Sequence, residues 1–134
     1  MIFVDTNYFF RFLLKDVKGQ HRQAMDLFKQ AALGTIELFS SSVVFFEIFW
    51  VLVSVYDKKK TEIIKTLENI LKMDFIKWEN EAGLQLALNI YKANSIELED
   101  SYNLAFMKEK NIKEIRTFDK KLAGVHRNLS KLDR

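Results

Sequence analysis

The sequence predicts an α/β protein, a three-layer α/β/α arrangement of helices around a central parallel sheet of four or five strands, built as a single domain over residues 1–134. The first reason is order. Short apolar runs alternate with stretches of helical periodicity as β-α-α-β-α-α-β-α-α-β, with a short fifth strand added at the end. Helical connections between successive strands favour parallel pairing with both sheet faces covered. The second reason is size. A chain of 134 residues, 49% of them apolar, can bury one core and is too short for two. Proline is absent and glycine occurs four times, so no linker or low-complexity tract divides the chain.

Ile2 to Val4 is a short apolar run of the buried-strand type, and Thr6 to Leu14 reads as a helix with Phe9, Phe10, Leu13 and Leu14 inward. From Gln20 to Leu33, residues Ala24, Leu27, Phe28, Ala31 and Ala32 keep helical spacing, and Gly34 is a C-cap signal. Thr35 to Phe39 is β-like, and Ser40-Ser41-Ser42 supplies an N-cap for the apolar helix that carries Glu47. Lys58 to Lys60 precede an amphipathic helix whose stripe is Ile63, Ile64, Leu67, Ile70 and Leu71. Phe75 to Trp78 forms the third predicted strand. Leu84, Ala87, Leu88 and Tyr91 define one further helix, and Leu98, Tyr102, Ala105 and Phe106 another, with Asp100 in its first turn. Ile112 to Phe118 supplies the fourth strand and Leu129 to Leu132 the short fifth.

Composition excludes several chemistries. No cysteine is present, which removes disulfides, thiolate metal sites and cysteine nucleophiles, and fits a reducing cytoplasmic location. His21 and His126 are far apart among polar or basic neighbours and read as surface histidines, so a histidine-rich zinc site is not expected. Asp5 and Arg11 interrupt the apolar N-terminus, which argues against a signal peptide. The apolar stretch Val43 to Val53 contains Glu47 and falls short of the ~18 residues that suggest a membrane span. No membrane association is expected.

Four acids remain conspicuous. Asp5 directly follows Ile2-Phe3-Val4, Glu47 is the only charge between Val43 and Val53, Asp100 opens a helix, and Asp119 directly follows Ile115-Arg116-Thr117-Phe118. An ionised carboxylate removed from water must find a partner or give up its charge, so several without bases nearby point to a divalent cation. In open parallel sheets the ligand crevice lies outside the carboxyl ends of the strands, where Asp5 and Asp119 are predicted. With these four acids reserved for a metal, 21 basic residues stand against 14 acidic ones. That balance suits an anionic polymer held by its backbone, and equally an ordinary solvated surface. Arg11, Arg116, Lys120, Lys121 and Arg127 are candidate backbone contacts, none individually assigned.

The opening Ile-Phe-Val-Asp5-Thr6-Asn7, the helical Glu47, the Glu99-Asp100-Ser101 helix start and the closing Arg116-Thr117-Phe118-Asp119 together resemble the PIN domain over almost the whole chain. Compact size and the Thr-Phe-Asp ending are most similar to the VapC-type ribonuclease toxins of prokaryotic toxin-antitoxin pairs. The resemblance implies an Mg²⁺- or Mn²⁺-dependent endoribonuclease acting on RNA. By position, Asp5, Glu47, Asp100 and Asp119 match the family's acidic ligands, and Asn7 and Thr117 its polar supporting positions. Whether one or two ions bind stays open. The resemblance also implies a homodimer and an antitoxin partner whose tail covers the groove. Tyr102, where small residues are usual, and Asn111, where glycine is common, depart from the family pattern.

Bland readings stand beside these. Asp119 could cap the helix after it, Asn7 the first helix, and Thr117 could be an ordinary strand residue. Apolar faces such as Tyr8-Phe9-Phe12 and Phe45-Phe49-Leu52 are expected to exceed one small core and leave surface for a partner. One alternative is a catalytically inactive RNA- or protein-binding module of the same fold. Another is a phosphoaspartate domain of the receiver or haloacid-dehalogenase type. The latter lacks the expected aspartates, because Glu79 follows the third strand and Asn7 stands two residues after Asp5.

Overall fold

A computed structural model describes residues 1–15 and 17–132. In chain order its elements are β1 (Ile2–Phe3), α1 (Thr6–Leu13), α2 (Lys18–Ala32), β2 (Leu38–Ser40), α3 (Ser42–Ser54), α4 (Lys60–Lys72), β3 (Ile76–Trp78), α5 (Glu81–Ala93), α6 (Leu98–Glu109) and α7 (Lys120–Leu132). The chain divides into two compact units, Met1–Glu81 and Ala82–Arg134.

The first unit is α/β. Its strands pair in parallel in the order β1-β2-β3, with Ile2 opposite Leu38, and Leu38 in turn opposite Ile76. Helices connect each strand to the next, as parallel pairing requires. The aromatic core forms where α1, α2, α3 and β3 meet. Phe9 stacks on Trp78 at 5.3 Å between ring centroids, Phe28 lies 5.6 Å from Phe9, and Phe45 meets Trp78 edge-on at 5.5 Å. Burying each such ring stabilises the unit by roughly 1.5–3 kcal/mol. The whole predicted stripe of α4, from Ile63 to Leu71, is buried.

Local signals set the helix ends. The Ser41 hydroxyl accepts the Val44 amide at 3.3 Å and caps α3, as the serine run predicts. α2 closes in a Schellman motif. Gly34 takes φ +84°, its amide donates to the Ala31 carbonyl, and the Thr35 amide reaches the Gln30 carbonyl at 3.1 Å.

The expected four- or five-stranded sheet is not found, since three strands form among the described residues. Residues 112–118 adopt no regular structure. Their apolar members Ile112, Ile115 and Phe118 recur every third residue, whereas a half-buried strand needs alternation. Phe118 is accordingly fully exposed. Residues 129–132 belong to α7, where Leu122, Val125, Leu129 and Leu132 mark a helical stripe running past Gly124. β2 also lies further along than predicted, at Leu38–Ser40.

Two packing expectations change as well. Phe45, Phe49 and Leu52 fit entirely into the core, and the face of α3 left exposed is Val43, Trp50 and Val53. In the second unit the buried face of α6 is Leu98, Ser101, Leu104, Ala105 and Met107, while Tyr102 is half-buried and Phe106 exposed. No helix of the described residues is long and apolar enough to cross a membrane.

Candidate active site

All three strands of the first unit end at one edge, and each time the chain leaves that edge towards a helix. Val4 is buried and donates its amide to the Phe39 carbonyl at 2.9 Å, and the Ser40 hydroxyl donates back to the Val4 carbonyl at 2.9 Å. These bonds fix the chain at the point where Asp5 begins. Asp5 is extended, with φ −84° and ψ 164°, and occupies the N-cap position of α1, yet its side chain makes no cap hydrogen bond. Aspartate ordinarily caps at such a position.

Thr6 joins the first acid to the second. Its hydroxyl donates to Glu47 Oε2 at 2.5 Å, linking the first residue of α1 to the second turn of α3. Thr6 itself is buried, so the threonine is a fixed donor that orients the carboxylate. Glu47 is therefore bonded to the residue that follows Asp5, although 42 positions separate the two acids in sequence.

The reason given for Glu47 from sequence does not hold. Glu47 is exposed, as are Asp5 and Asp119, and Asp100 is half-buried. Phe45, Ile48, Phe49 and Leu52 occupy the inward face of α3, while Glu47 lies on the outward face with Val43 and Trp50. An apolar neighbourhood in sequence became an apolar face in space. What distinguishes these carboxylates is position rather than desolvation.

Sequence reasoning missed two contributors. Thr6 stood between Asp5 and Asn7 and was passed over, although a hydroxyl at a helix start is a ready donor. Glu79 follows β3 as Asp5 follows β1. Its Oε1 accepts the Ser42 amide at 3.0 Å and its carbonyl accepts the Ser42 hydroxyl at 3.1 Å, so it ties the start of α3 to β3. An acid directly after a predicted strand was the signal available for it.

In the second unit, Asp100 lies in the first turn of α6 beside Glu99, after Glu97 at the N-cap. Ser101, fully buried, donates to the Glu97 carbonyl at 3.0 Å and anchors this turn. Burial raises the Tyr91 phenol above 10.0, and the charges of Glu97 and Glu99 raise it further. Asp119 is the N-cap of α7: Oδ1 accepts the Leu122 amide at 3.1 Å, and the Asp119 amide donates to the Thr117 hydroxyl at 3.0 Å. Thr117 thus supports Asp119 through a turn and not as a strand residue. Asn111 takes φ +56°, the left-handed region where glycine or asparagine is favoured. That conformation accounts for an asparagine at a position where glycine is common.

The donor set suits a hard divalent cation. It consists of carboxylate and hydroxyl oxygens, without a thiol anywhere in the chain. Mg²⁺ is commonly held by one or two carboxylates, with waters and substrate phosphate completing its shell. Asp5 and Glu47 are two carboxylates of the first unit. Among the described residues no three histidine, aspartate or glutamate side chains are grouped closely enough to hold a metal ion. None of the four acids lines the larger cavity of the second unit, about 450 Å³ between Leu86, Leu104, Ile112 and Leu129.

The family model described as PIN domain matches residues 2–128. Among solved structures, the chain is similar to the crystal structure of Mycobacterium tuberculosis VapC20, a Sarcin-Ricin loop cleaving toxin. The two share 16% identity over 92% of this chain and 94% of the other, with a TM-score of 0.42. No curated protein matches.

Proposed function

The chain belongs to the PIN domain family, and from that premise we propose that it is a divalent-metal-dependent endoribonuclease, the toxin of a VapBC-type toxin-antitoxin pair. The observation that carries the reading is the Thr6–Glu47 hydrogen bond beside an uncapping Asp5, at the carboxyl ends of parallel strands. Asp5, Glu47, Asp100 and Asp119 would hold Mg²⁺ or Mn²⁺. The ion, when bound, supplies a water of lowered pKa and neutralises charge that develops on the scissile phosphate. Thr6 holds the Glu47 carboxylate in one orientation. Asn7 and Thr117 support from α1 and from the turn before α7. The family match runs across both units, which favours reading them as parts of one domain.

The protein is proposed to work in the cytoplasm as a homodimer held in check by an antitoxin. The Val43, Trp50 and Val53 face of α3 offers apolar surface for such a mate. Sedimentation of a monomer at high micromolar concentration would remove the dimer from this proposal.

The decisive experiment is RNA cleavage by the purified protein with Mg²⁺, with Mn²⁺ and with EDTA, alongside Asp5→Asn. Cleavage should need the metal and fall on the order of 10²–10³-fold or more in the variant, the loss typical when one electrostatic contact to the transition state is removed. Equal cleavage by Asp5→Asn would defeat the assignment. Absence of both cleavage and metal binding at millimolar concentration would leave a binding module of the same fold.

A further inference from the structure

α3 is apolar on almost every side, because Glu47 is its only charge between Ser42 and Ser54. A helix of that kind is ordinarily covered all round. One stripe of it is not, since Val43 and Trp50 are 63% and 64% exposed and Val53 is 40% exposed. We propose that this stripe is the seam of a homodimer in which two copies of α3 pack antiparallel, and that a divalent cation bound at Glu47 tightens the pair. The proposal rests on the nuclease reading, which places the cation at Glu47, and adds to it a link between metal and assembly.

Spacing points to a second copy as the occupant. Val43, Phe46, Trp50 and Val53 follow one another at intervals of three, four and three, the a/d pattern with which helices pack on helices. Those intervals read the same from either end. A twofold axis at the level of Ile48 therefore lays the stripe on itself, Val43 against Val53 and Phe46 against Trp50. A parallel pair would instead set Trp50 on Trp50 and align the two helix dipoles.

Glu47 stands at the edge of this seam. It lies one turn from Val43 and one turn from Trp50, on the outward face that all three share. Being one residue from the level of the axis, the two copies of Glu47 come together on the same side of the seam. Like charges so placed repel, and covering them takes both from water. Neutralised by a cation, the carboxylates no longer impose either cost. Linkage makes the effect reciprocal, so metal favours the dimer and the dimer favours metal. The seam spans only 13 residues, roughly 20 Å of helix, which leaves the association weak enough for one charge per copy to tip it.

The test is the dimer dissociation constant of the full chain, measured by sedimentation across a dilution series in EDTA and in saturating Mn²⁺. Mn²⁺ should tighten the dimer about 10-fold or more, within the usual range of coupling between two sites. Glu47→Gln should be about as tight in EDTA as the parent is in Mn²⁺, and should lose most of the response to metal. Val53→Arg, with circular dichroism matching the parent, should weaken the dimer about 10-fold or more in both buffers. Tryptophan emission locates the seam. Of the two tryptophans Trp78 is only 6% exposed, so a blue shift on dimer formation should come from Trp50. A dimer that forms without that shift, or a dissociation constant indifferent to Mn²⁺, overturns the proposal even if the protein cleaves RNA with Mn²⁺. A dimer that Mn²⁺ tightens through Glu47, in a protein that cleaves no RNA, upholds it and leaves the nuclease reading to fall by itself.

Discussion

Thr6 is the residue on which the geometry of the first unit turns. A buried hydroxyl has few acceptors to choose from, and this one finds Glu47 Oε2 at 2.5 Å. Glu47 is exposed on α3 and would otherwise sample several rotamers in water, so the bond converts a mobile carboxylate into a placed one. Residues that orient metal-binding side chains typically contribute 10–100-fold in affinity or activity. Thr6→Ala should therefore lower cleavage by about 10–100-fold, and Thr6→Ser should restore most of it because the donor returns. The readout that separates orientation from folding is the metal dependence. Thr6→Ala should require more Mn²⁺ for half-maximal cleavage, whereas a purely structural loss would lower the rate at every metal concentration alike.

The turn after α6 shows how backbone conformation can constrain a segment whose side chains look unremarkable. Asn111 holds φ +56°, and the Ile112 amide reverses onto the Met107 carbonyl at 2.8 Å. A left-handed residue with a Cβ costs roughly 1–2 kcal/mol, which asparagine partly avoids and glycine avoids altogether. Asn111→Ala should lose about 1 kcal/mol in urea melts, and Asn111→Gly should stay within a few tenths of the parent. Legibility in the sequence followed the strength of local patterning. α4 could be read residue by residue because its apolar stripe keeps one period over three turns. Ser41 and Gly34 were readable because their chemistry suits only a few backbone conformations. Residues 112–118 were misread because β-branched residues at a period of three imitate a strand in composition but give neither sheet face a row. Glu47 was singled out as a carboxylate in apolar company, and it is exposed. Periodicity could have shown that Phe45 and Phe49 lie on the opposite face of α3, but it could not have shown that Thr6 would meet the carboxylate from 41 residues away.

For the molecule as a whole, the proposed function requires carboxylates from both units to serve one cation, and this has a thermodynamic consequence apart from catalysis. A ligand that binds only the folded state stabilises it by RT ln(1 + [L]/Kd), about 2.7 kcal/mol at a hundredfold excess over Kd. For a chain of this length each kcal/mol shifts Tm by about 3–5 °C, so saturating Mn²⁺ should raise Tm by roughly 10 °C. Asp5→Asn should abolish most of that rise. If Asp100 is a ligand, as proposed, Asp100→Asn should abolish it to a similar degree. Without metal Asp5→Asn should melt no lower than the parent, because the Asp5 side chain makes no cap hydrogen bond for the change to break. Differential scanning fluorimetry of the three proteins against Mn²⁺ concentration decides the matter. A shift that survives Asp100→Asn while Asp5→Asn removes it would confine the ion to the first unit and strike Asp100 from the ligand set.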